Sequence, residues 1–344
     1  MRHGYEVNKK SALVVGYFGH GNMGDDTALT IAIKIMCDMG ITPYVSFSND
    51  GDWGIFEKYG AIRVDSKSGE AMLAAINTCD GVFFLGGNHF ENESSRRSLL
   101  YYSAVALAAA KRGKPVYMIA SGIGRMKPGT DRQIALRALC RLSYAGLRTE
   151  GDLAQASRIL SCPAVKMPDL AFCSELLKEE KTNSFAIIPR QDSAALLVQA
   201  RRLVALGLKP VVIPFFIDED MRAARGYGEA LSCEVFFSRS AEEIRRRIST
   251  MQVTLSERLH GGIFSLTAST PFMFISKSQK CRRFSAEAGE VARLLGSTSP
   301  SLDETFGTRE FQVRGRCDFA GITARLKGEL LSSLHKMLWD FAYN

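Results

Sequence analysis

Residues 11–36 read SALVVGYFGHGNMGDDTALTIAIKIM and join an apolar run, a glycine-rich turn and a segment of helix length. A strand that enters glycines and then a helix is typical of α/β sheets, and such a turn can hold an anion. These glycines, however, fit neither the G-x-G-x-x-G pattern nor the P-loop pattern. Asp25 and Asp26 stand where the helix begins, and there a carboxylate caps the helix but repels a phosphate. The turn is therefore at least as consistent with a carboxylate that faces a hydroxyl-rich ligand as it is with a nucleotide-binding loop.

The same alternation of short apolar runs and helix-length segments continues along most of the chain. Examples are GVFFLGG (81–87) and PVYMIASGIG (115–124) in the first half, and SFAIIPR (184–190) and QVTLSE (252–257) in the second. Strands separated by about ten to fifteen residues of helical pattern indicate βαβ units and parallel sheets that are buried on both faces. The sequence therefore predicts an α/β fold with parallel sheets.

A polar segment, LKEEKTNS (177–184), separates the two halves of this pattern. We therefore expect two Rossmann-like domains, residues 1–178 and 179–310, because a chain of 344 residues can form two cores of ordinary size. The remaining residues, 311–344, include an amphipathic segment that predicts a C-terminal helix packing back across the first domain.

Composition favours a cytoplasmic protein. The chain has no apolar run long enough for a membrane span, and its first ten residues, MRHGYEVNKK, lead into a strand without a signal-peptide core. Its eight cysteines include no C-x-x-C pair, which favours reduced thiols over a disulfide framework or a zinc ribbon.

The formal net charge of +8 favours an anionic partner. Nucleic acid is disfavoured, because the basic residues mostly follow the solvated faces of predicted helices and no zinc-finger, RNP or KH pattern occurs. An acidic small substrate explains the charge equally well. So does an anionic membrane surface that carries a lipid-linked substrate, which leaves a peripheral membrane contact open.

Polar motifs follow five of the predicted strands. The glycine-rich turn follows the first strand, and the others are GGNHFEN (86–92), SGIGR (121–125), Arg190, and SERLHGG (256–262). In open α/β sheets, ligands bind at the carboxyl ends of the strands. The common position of the five motifs predicts a substrate cleft between two facing sheets.

Taken together, these motifs resemble the polysaccharide pyruvyl transferases, most closely the bacterial branch that modifies cell-wall polymers. The resemblance runs from about residue 13 to about residue 285 and also includes GKPVYMIASGIG (113–124), PDLAF (168–172) and TPFMFIS (270–276). It implies a fold like that of the GT-B glycosyltransferases, phosphoenolpyruvate as donor and a saccharide as acceptor. It also implies a donor site formed by Arg190, Arg258, Leu259 and His260.

The chemistry of these residue types suits that donor. Arginine binds phosphate and carboxylate groups through paired hydrogen bonds, as Arg190 and Arg258 would here. Histidine exchanges protons near neutral pH, so His260 suits protonation of the methylene carbon of the donor, although a capping or core histidine is the alternative. Gly261 follows at a predicted helix start, where backbone N–H groups would help hold the phosphate.

On the acceptor side, the expected residues are polar. We expect Asp25 to accept hydrogen bonds from sugar hydroxyls or to take a proton from one, and we expect Gly21 and Asn22 of the same turn to bind the substrate. The alternative for Asp25 is a helix cap, and both roles are compatible. Asn88, His89 and Glu91 supply donors and acceptors for a saccharide; the alternative is a solvated turn.

The sequence departs from the family pattern in the predicted first domain, at LGGN (85–88) in place of a triple glycine, at Arg125 in place of proline and at Thr149 in place of an acid. These changes do not alter the predicted donor residues, but they affect which saccharide could serve as acceptor. Two other readings remain open: a GT-B glycosyltransferase that uses a nucleotide sugar, and a saccharide-binding homologue without activity. We expect no cofactor and no metal, because no H-x-x-x-H, H-E-x-x-H or clustered Cys/His spacing occurs.

Overall fold

The chain forms two compact α/β units. The computed structural model describes residues 9–48, 53–92, 95–276, 278–289, 292–294 and 318–343. The first unit consists of Met1–His20, Ala28–Leu170 and Glu329–Asn344, and the second consists of Gly21–Thr27 and Ala171–Gly328. Each has its own apolar core, with Leu13 and Phe84 fully buried in the first and Phe185 and Leu255 in the second.

The first unit contains a parallel sheet of seven strands. They are β1 (Ser11–Val15), β2 (Thr42–Phe47), β3 (Ile62–Asp65), β4 (Gly81–Leu85), β5 (Val116–Ser121), β6 (Tyr144–Leu147) and β7 (Ala164–Lys166). Their order in the sheet is β3-β2-β1-β4-β5-β6-β7. Successive strands are added in one direction from β1 to β3 and in the opposite direction from β4 to β7, so the topological switch point lies between β1 and β4. At a switch point the connections that follow the two strands run to opposite sides of the sheet, which leaves room for a ligand.

The described residues of this part of the chain form six α-helices. They are α1 (Met23–Asp38), α2 (Gly54–Glu57), α3 (Gly69–Thr78), α4 (Arg96–Lys111), α5 (Thr130–Leu139) and α6 (Glu150–Ala156). Several begin where the sequence supplies a hydroxyl cap: the side chains of Ser68, Ser95 and Thr149 accept a hydrogen bond from a backbone N–H in the first turn of α3, α4 and α6.

The second unit repeats the plan with six parallel strands. They are β8 (Ser184–Ile188), β9 (Lys209–Val212), β10 (Glu234–Val235), β11 (Val253–Ser256), β12 (Phe272–Phe274) and β13 (Ala292–Leu294), in the order β10-β9-β8-β11-β12-β13. Its helices are α7 (Ala194–Ala205), α8 (Ile217–Leu231), α9 (Ala241–Ser249), α10 (Leu259–Thr267) and α11 (Gln279–Ala288). Here the order reverses between β8 and β11, so the two connections that carry Arg190 and Arg258 flank the switch point.

A last helix, α12 (Phe319–Tyr343), packs on the first-unit sheet as expected. Ser333 donates to the carbonyl of Lys166 at the end of β7 (2.9 Å), and the Phe341 ring lies 4.9 Å from that of Phe83. Residues 311–317 of the predicted helical region lie outside the described residues. Among the helices that the structure describes, none combines the length and the apolar character needed to cross a membrane.

The division by contacts differs from the expected boundary at residues 178 and 179. Residues 171–178 belong to the second unit because Leu177 donates to the carbonyl of Thr267 (2.9 Å) and the Arg245 guanidinium donates to the carbonyl of Glu175. The glycine-rich turn also divides, since Gly21–Thr27 pack with the second unit. The parallel α/β architecture itself is confirmed.

Candidate active site

In the second unit, the connections after β8 and β11 are joined by a buried carboxylate. Glu257 Oε2 accepts hydrogen bonds from the backbone N–H groups of Arg190 (2.9 Å) and Gln191 (3.3 Å). Glu257 is 9 % exposed, whereas the side chain of Arg190 is exposed. The acid therefore fixes the backbone from which the Arg190 guanidinium extends.

Arg258 is held by acids at the start of α8. Its guanidinium donates to Asp220 Oδ1 and lies 3.4 Å from Glu219, and it stands over the Phe216 ring. Asp220 is fully buried and also accepts from the N–H of Phe216 (2.9 Å). Burial raises the pKa of the Asp220 carboxyl, while Arg258 and the backbone N–H groups act in the opposite direction.

His260 lies against Gly24. Residues Gly21–Thr27 join the second unit through a bridge between Asn22 and Phe216 and through the N–H of Met23, which donates to the carbonyl of Phe215 (2.9 Å). A Cβ atom at Gly24 would overlap Nδ1 of His260, so only glycine fits beside this imidazole. The turn that we assigned to the first domain thus lies beside the predicted donor residue.

Asn22 orients Asp25. Its Nδ2 donates to Asp25 Oδ2 (2.7 Å), while its Oδ1 accepts from the N–H of Gly24 (3.2 Å). One amide therefore caps the start of α1 and fixes the carboxylate. Gly21 precedes it with φ +70°, a conformation that favours glycine, and its carbonyl accepts from the N–H of Ile217 (3.4 Å).

Gly261 does not offer its N–H to a ligand as we expected. That N–H donates to the carbonyl of Arg258 (3.1 Å), and a Cβ atom at Gly261 would overlap Ser256 Oγ. The glycine is therefore needed for close packing of α10 on β11. Leu259 is 5 % exposed, so its side chain belongs to the same packed layer.

Sequence reasoning missed several residues of this cluster. Asp220 and Glu257 fix the two arginines, and Lys280 adds another cation near Arg190. Arg190 and Lys280 both lower the pKa of the Cys281 thiol electrostatically, although burial, the largest effect, raises it. The signal for Lys280 was its place after the strand TPFMFIS, where a further strand-end motif begins.

The first unit carries a separate polar cluster at the ends of β4, β6 and β7. Arg148, which is 8 % exposed, donates to the carbonyl of Gly87 (3.1 Å) and to Asn88 Oδ1 (3.0 Å), and it lies 3.5 Å from the Asp169 carboxylate. Because Oδ1 accepts from Arg148, the Asn88 amide presents its N–H groups elsewhere. The contact of Asn88 with a saccharide stays a prediction.

The connection after β5 closes against Asn88 and Glu91. Ala120 has φ +48° within a register shift of β5, and strained backbone of this kind clusters at functional sites. A Cβ atom at Gly122 would overlap Asn88 Oδ1, and one at Gly124 would overlap Glu91. These glycines allow the two connections to approach closely.

His89 is not displayed on its loop as we expected. It is 3 % exposed, and its ring lies 4.5 Å from that of Tyr102. Burial lowers its pKa to about 3, with the charge of Arg148 acting in the same direction. The imidazole is therefore a neutral part of the core, and its predicted contact with a saccharide requires the loop to move.

Thr149, one of the departures from the family pattern, has a clear local role. It caps α6 and donates to Asp152 Oδ2 (2.7 Å), while Asp152 Oδ1 accepts from the N–H of Ile123 (3.1 Å). Threonine therefore supplies the cap that an acid would also supply. The described ranges contain no group of three or more His, Cys, Asp or Glu residues that could hold a metal ion.

Two parallel-sheet domains with polar clusters at their strand ends define a fold of the class found in GT-B glycosyltransferases and related epimerases. Within that class, residues 22–278 match the family described as polysaccharide pyruvyl transferase. The chain belongs to this family. A search of curated protein sequences gave no match.

Solved structures share the fold at low sequence identity. The S. aureus MnaA complex with UDP has a TM-score of 0.60 at 11 % identity, with 95 % of this chain and 97 % of that chain covered. The Methanocaldococcus jannaschii UDP-GlcNAc 2-epimerase with UDP-GlcNAc and UDP has a TM-score of 0.58 at 12 % identity, with 90 % of this chain and 94 % of that chain covered. MurG of Acinetobacter baumannii has a TM-score of 0.52 at 10 % identity, with 96 % of this chain and 99 % of that chain covered. These similarities show the fold alone.

Proposed function

We propose that the protein transfers a pyruvyl group from phosphoenolpyruvate to two hydroxyls of a cell-surface saccharide and forms a pyruvate ketal. Membership of the family carries this proposal. The second-unit cluster supports it, because Arg190 and Arg258 flank a topological switch point and His260 follows on the same connection. Guanidinium groups suit a donor that bears both phosphate and carboxylate.

The reaction requires one proton to be delivered and two to be removed. His260 donates a proton to the methylene carbon of the donor, and the neighbouring carbon becomes an oxocarbenium-like centre. One hydroxyl oxygen attacks this carbon, the bond to phosphate breaks, and the second hydroxyl oxygen completes the ketal. One hydroxyl proton replaces the proton that His260 gave, and the other leaves with phosphate.

Asp25 is suited to accept a hydroxyl proton. Asn22 holds its carboxylate by a hydrogen bond of 2.7 Å, so the acid is oriented before a substrate arrives. The first-unit residues Asn88 and Glu91 are proposed as saccharide contacts. That the saccharide is lipid-linked and that the protein is cytoplasmic both stay predictions.

Ligand-dependent stabilisation distinguishes this function from the alternatives. A ligand that binds only the folded state stabilises it by an amount that rises with the logarithm of the ligand concentration above Kd, so we expect phosphoenolpyruvate to raise the melting temperature. Sugar conjugates of UDP, GDP and CMP should have no such effect. Stabilisation by a nucleotide sugar instead would favour a glycosyltransferase. Donor binding without release of phosphate in the presence of saccharide would favour an inactive homologue.

Substitution of the arginines tests the donor site directly. Arg190→Ala and Arg258→Ala should each weaken donor binding by about 2–4 kcal/mol, the usual loss when one partner of a desolvated charge pair is removed. Arg190→Ala is the cleaner variant, because Arg258 also faces buried Asp220. Arg201→Ala, on an exposed position of α7, is the matched control. Unaltered donor affinity by calorimetry in both variants would exclude this site.

A further inference from the structure

Lysine and arginine dominate the connections that lead into the seven strands of the first-unit sheet. In the described ranges these connections contain one acid, Asp80, and seven cations: Lys9, Lys10, Lys58, Arg112, Lys114, Arg141 and Arg158. The last residues of the preceding helices add Asp38, Glu57 and Lys111. Because parallel strands begin at one edge of a sheet, these residues form a single basic surface, which we call the amino edge.

The charges of the amino edge are not neutralised by neighbours. Within the described part of the chain none of its seven cations forms an ion pair, and Arg112 donates to neutral partners, Asn77 Oδ1 (2.6 Å) and the carbonyl of Ala108 (3.0 Å). The Asp80 carboxylate is already hydrogen-bonded, because its Oδ2 accepts from the N–H (2.7 Å) and from the hydroxyl (3.1 Å) of Ser11. The surface is therefore available to an anionic partner.

An exposed aromatic pair stands at the end of α12, which reaches the same edge. Phe341 contacts Gly81, the first residue of β4, where a Cβ atom would lie 2.8 Å from its ring. Trp339 and Tyr343 point away from this contact, are 58 % and 49 % exposed, and have ring centroids 4.2 Å apart. One turn earlier Lys336 is also exposed, but it pairs with Asp340 (3.4 Å), so the pair of rings contributes aromatic surface rather than charge. Exposed tryptophan and tyrosine are side chains favoured at membrane interfaces.

We propose that the amino edge and the Trp339–Tyr343 pair dock the protein on an anionic lipid bilayer. Charge complementarity identifies the partner, because anionic headgroups attract such cations while the aromatic rings enter the interface. A second copy of this chain would bring like charges together. Nucleic acid is the alternative anionic partner, and the vesicle and DNA experiments below separate the two. The proposal goes beyond the transferase function and does not depend on it.

Co-sedimentation of the full chain with lipid vesicles tests the charges. We expect binding to phosphatidylcholine vesicles that contain phosphatidylglycerol, no binding to phosphatidylcholine alone, and release by salt. Lys9→Ala/Arg141→Ala/Arg158→Ala should weaken binding about tenfold or more. Arg201→Ala/Arg222→Ala/Arg225→Ala removes the same charge from exposed positions of the second unit and should bind normally.

Tryptophan fluorescence tests the aromatic pair. The chain has two tryptophans, so Trp53→Phe leaves Trp339 as the reporter, and its emission should shift to the blue on anionic vesicles. Trp339→Ser/Tyr343→Ser should weaken binding while its salt dependence remains. Equal binding by both triple variants, or an unchanged Trp339 emission, would overturn the proposal. Binding to double-stranded DNA without binding to vesicles would assign the surface to nucleic acid instead.

Discussion

At the scale of single residues, His260 bears the chemical step of the proposed reaction. His260→Gln keeps a polar side chain of similar reach but cannot deliver a proton. Only interactions that strengthen in the transition state raise turnover, so kcat should fall about a hundredfold or more while donor affinity stays within about tenfold. Steady-state kinetics and calorimetry measure the two quantities.

The folding of the same variant separates the two roles that the sequence leaves open for His260. Unfolding of the variant would identify His260 as a core residue. A folded variant that transfers pyruvate at the wild-type rate would assign the acid to another group.

Gly24 determines where the His260 ring can lie. An added methyl group would overlap Nδ1, so Gly24→Ala must displace the imidazole. We expect kcat to fall toward the His260→Gln value while the fold persists, because misplacement of about 1 Å is costly to catalysis. Gly69→Ala, at the start of α3 with no atom within 4 Å of the added group, is the matched control. Full activity of Gly24→Ala would show that this contact is not required.

His89 makes the fold sensitive to acid. Its pKa is lowered to about 3, whereas the unfolded chain protonates it near the ordinary value of about 6.5. Between these values the unfolded state binds more protons, so the free energy of unfolding falls as the pH drops. His89→Phe should remove this contribution, and urea unfolding at about pH 7 and about pH 4.5 measures the difference. Equal acid sensitivity in both proteins would contradict the assignment.

At the scale of elements, Arg148 joins the connections after β4, β6 and β7. Arg148→Met removes the guanidinium that faces Asp169, a carboxylate with 4 % exposure, and we expect a loss of about 3–5 kcal/mol in the free energy of unfolding. Arg148→Met/Asp169→Asn should recover part of this loss, because the buried charge is then gone. Equal losses in the two variants would mean that the hydrogen bonds to Gly87 and Asn88 carry the effect.

Strand composition explains which elements could be predicted. Continuous runs of branched and aromatic residues identified β1, β4, β5 and β8. The strands β6, YAGL, and β7, AVK, were missed because they are only four and three residues long. In the run EVFFSR (234–239) only Glu234 and Val235 pair with β9, and Phe237 is 59 % exposed.

The candidate site could be predicted only where strand ends identify it. That rule selected Arg190, Asn88 and His260, because each follows a strand that is evident in the sequence, and their contacts with substrate stay predictions. The strand-end rule could not predict contacts between segments that are far apart in the chain, namely Asp220 with Arg258 and Gly24 with His260. The roles of Gly261 and His89 were misjudged for the same reason, since close packing of α10 and burial beside Tyr102 depend on tertiary structure.

At the scale of the whole molecule, the fold does not determine which donor substrate the protein uses. Structures with 10 to 13 % identity share the architecture, and they include the S. aureus MnaA complex with UDP and the Methanocaldococcus jannaschii UDP-GlcNAc 2-epimerase with UDP-GlcNAc and UDP. One fold supports many reactions, and the site determines which one occurs. In this chain the second unit presents arginines held by buried acids next to a histidine, which is why we favour a small doubly anionic donor over a nucleotide sugar.

We expect the transfer to proceed without a divalent cation. The guanidinium groups of two arginines can balance the negative charge of the donor. EDTA should leave the initial rate unchanged, with magnesium-saturated EDTA as the control for ionic strength. A rate that EDTA abolishes and Mg²⁺ or Mn²⁺ restores would contradict this prediction. The acidic first turn of α8, which contains Asp218 and Glu219, would then be the first place to seek the ion.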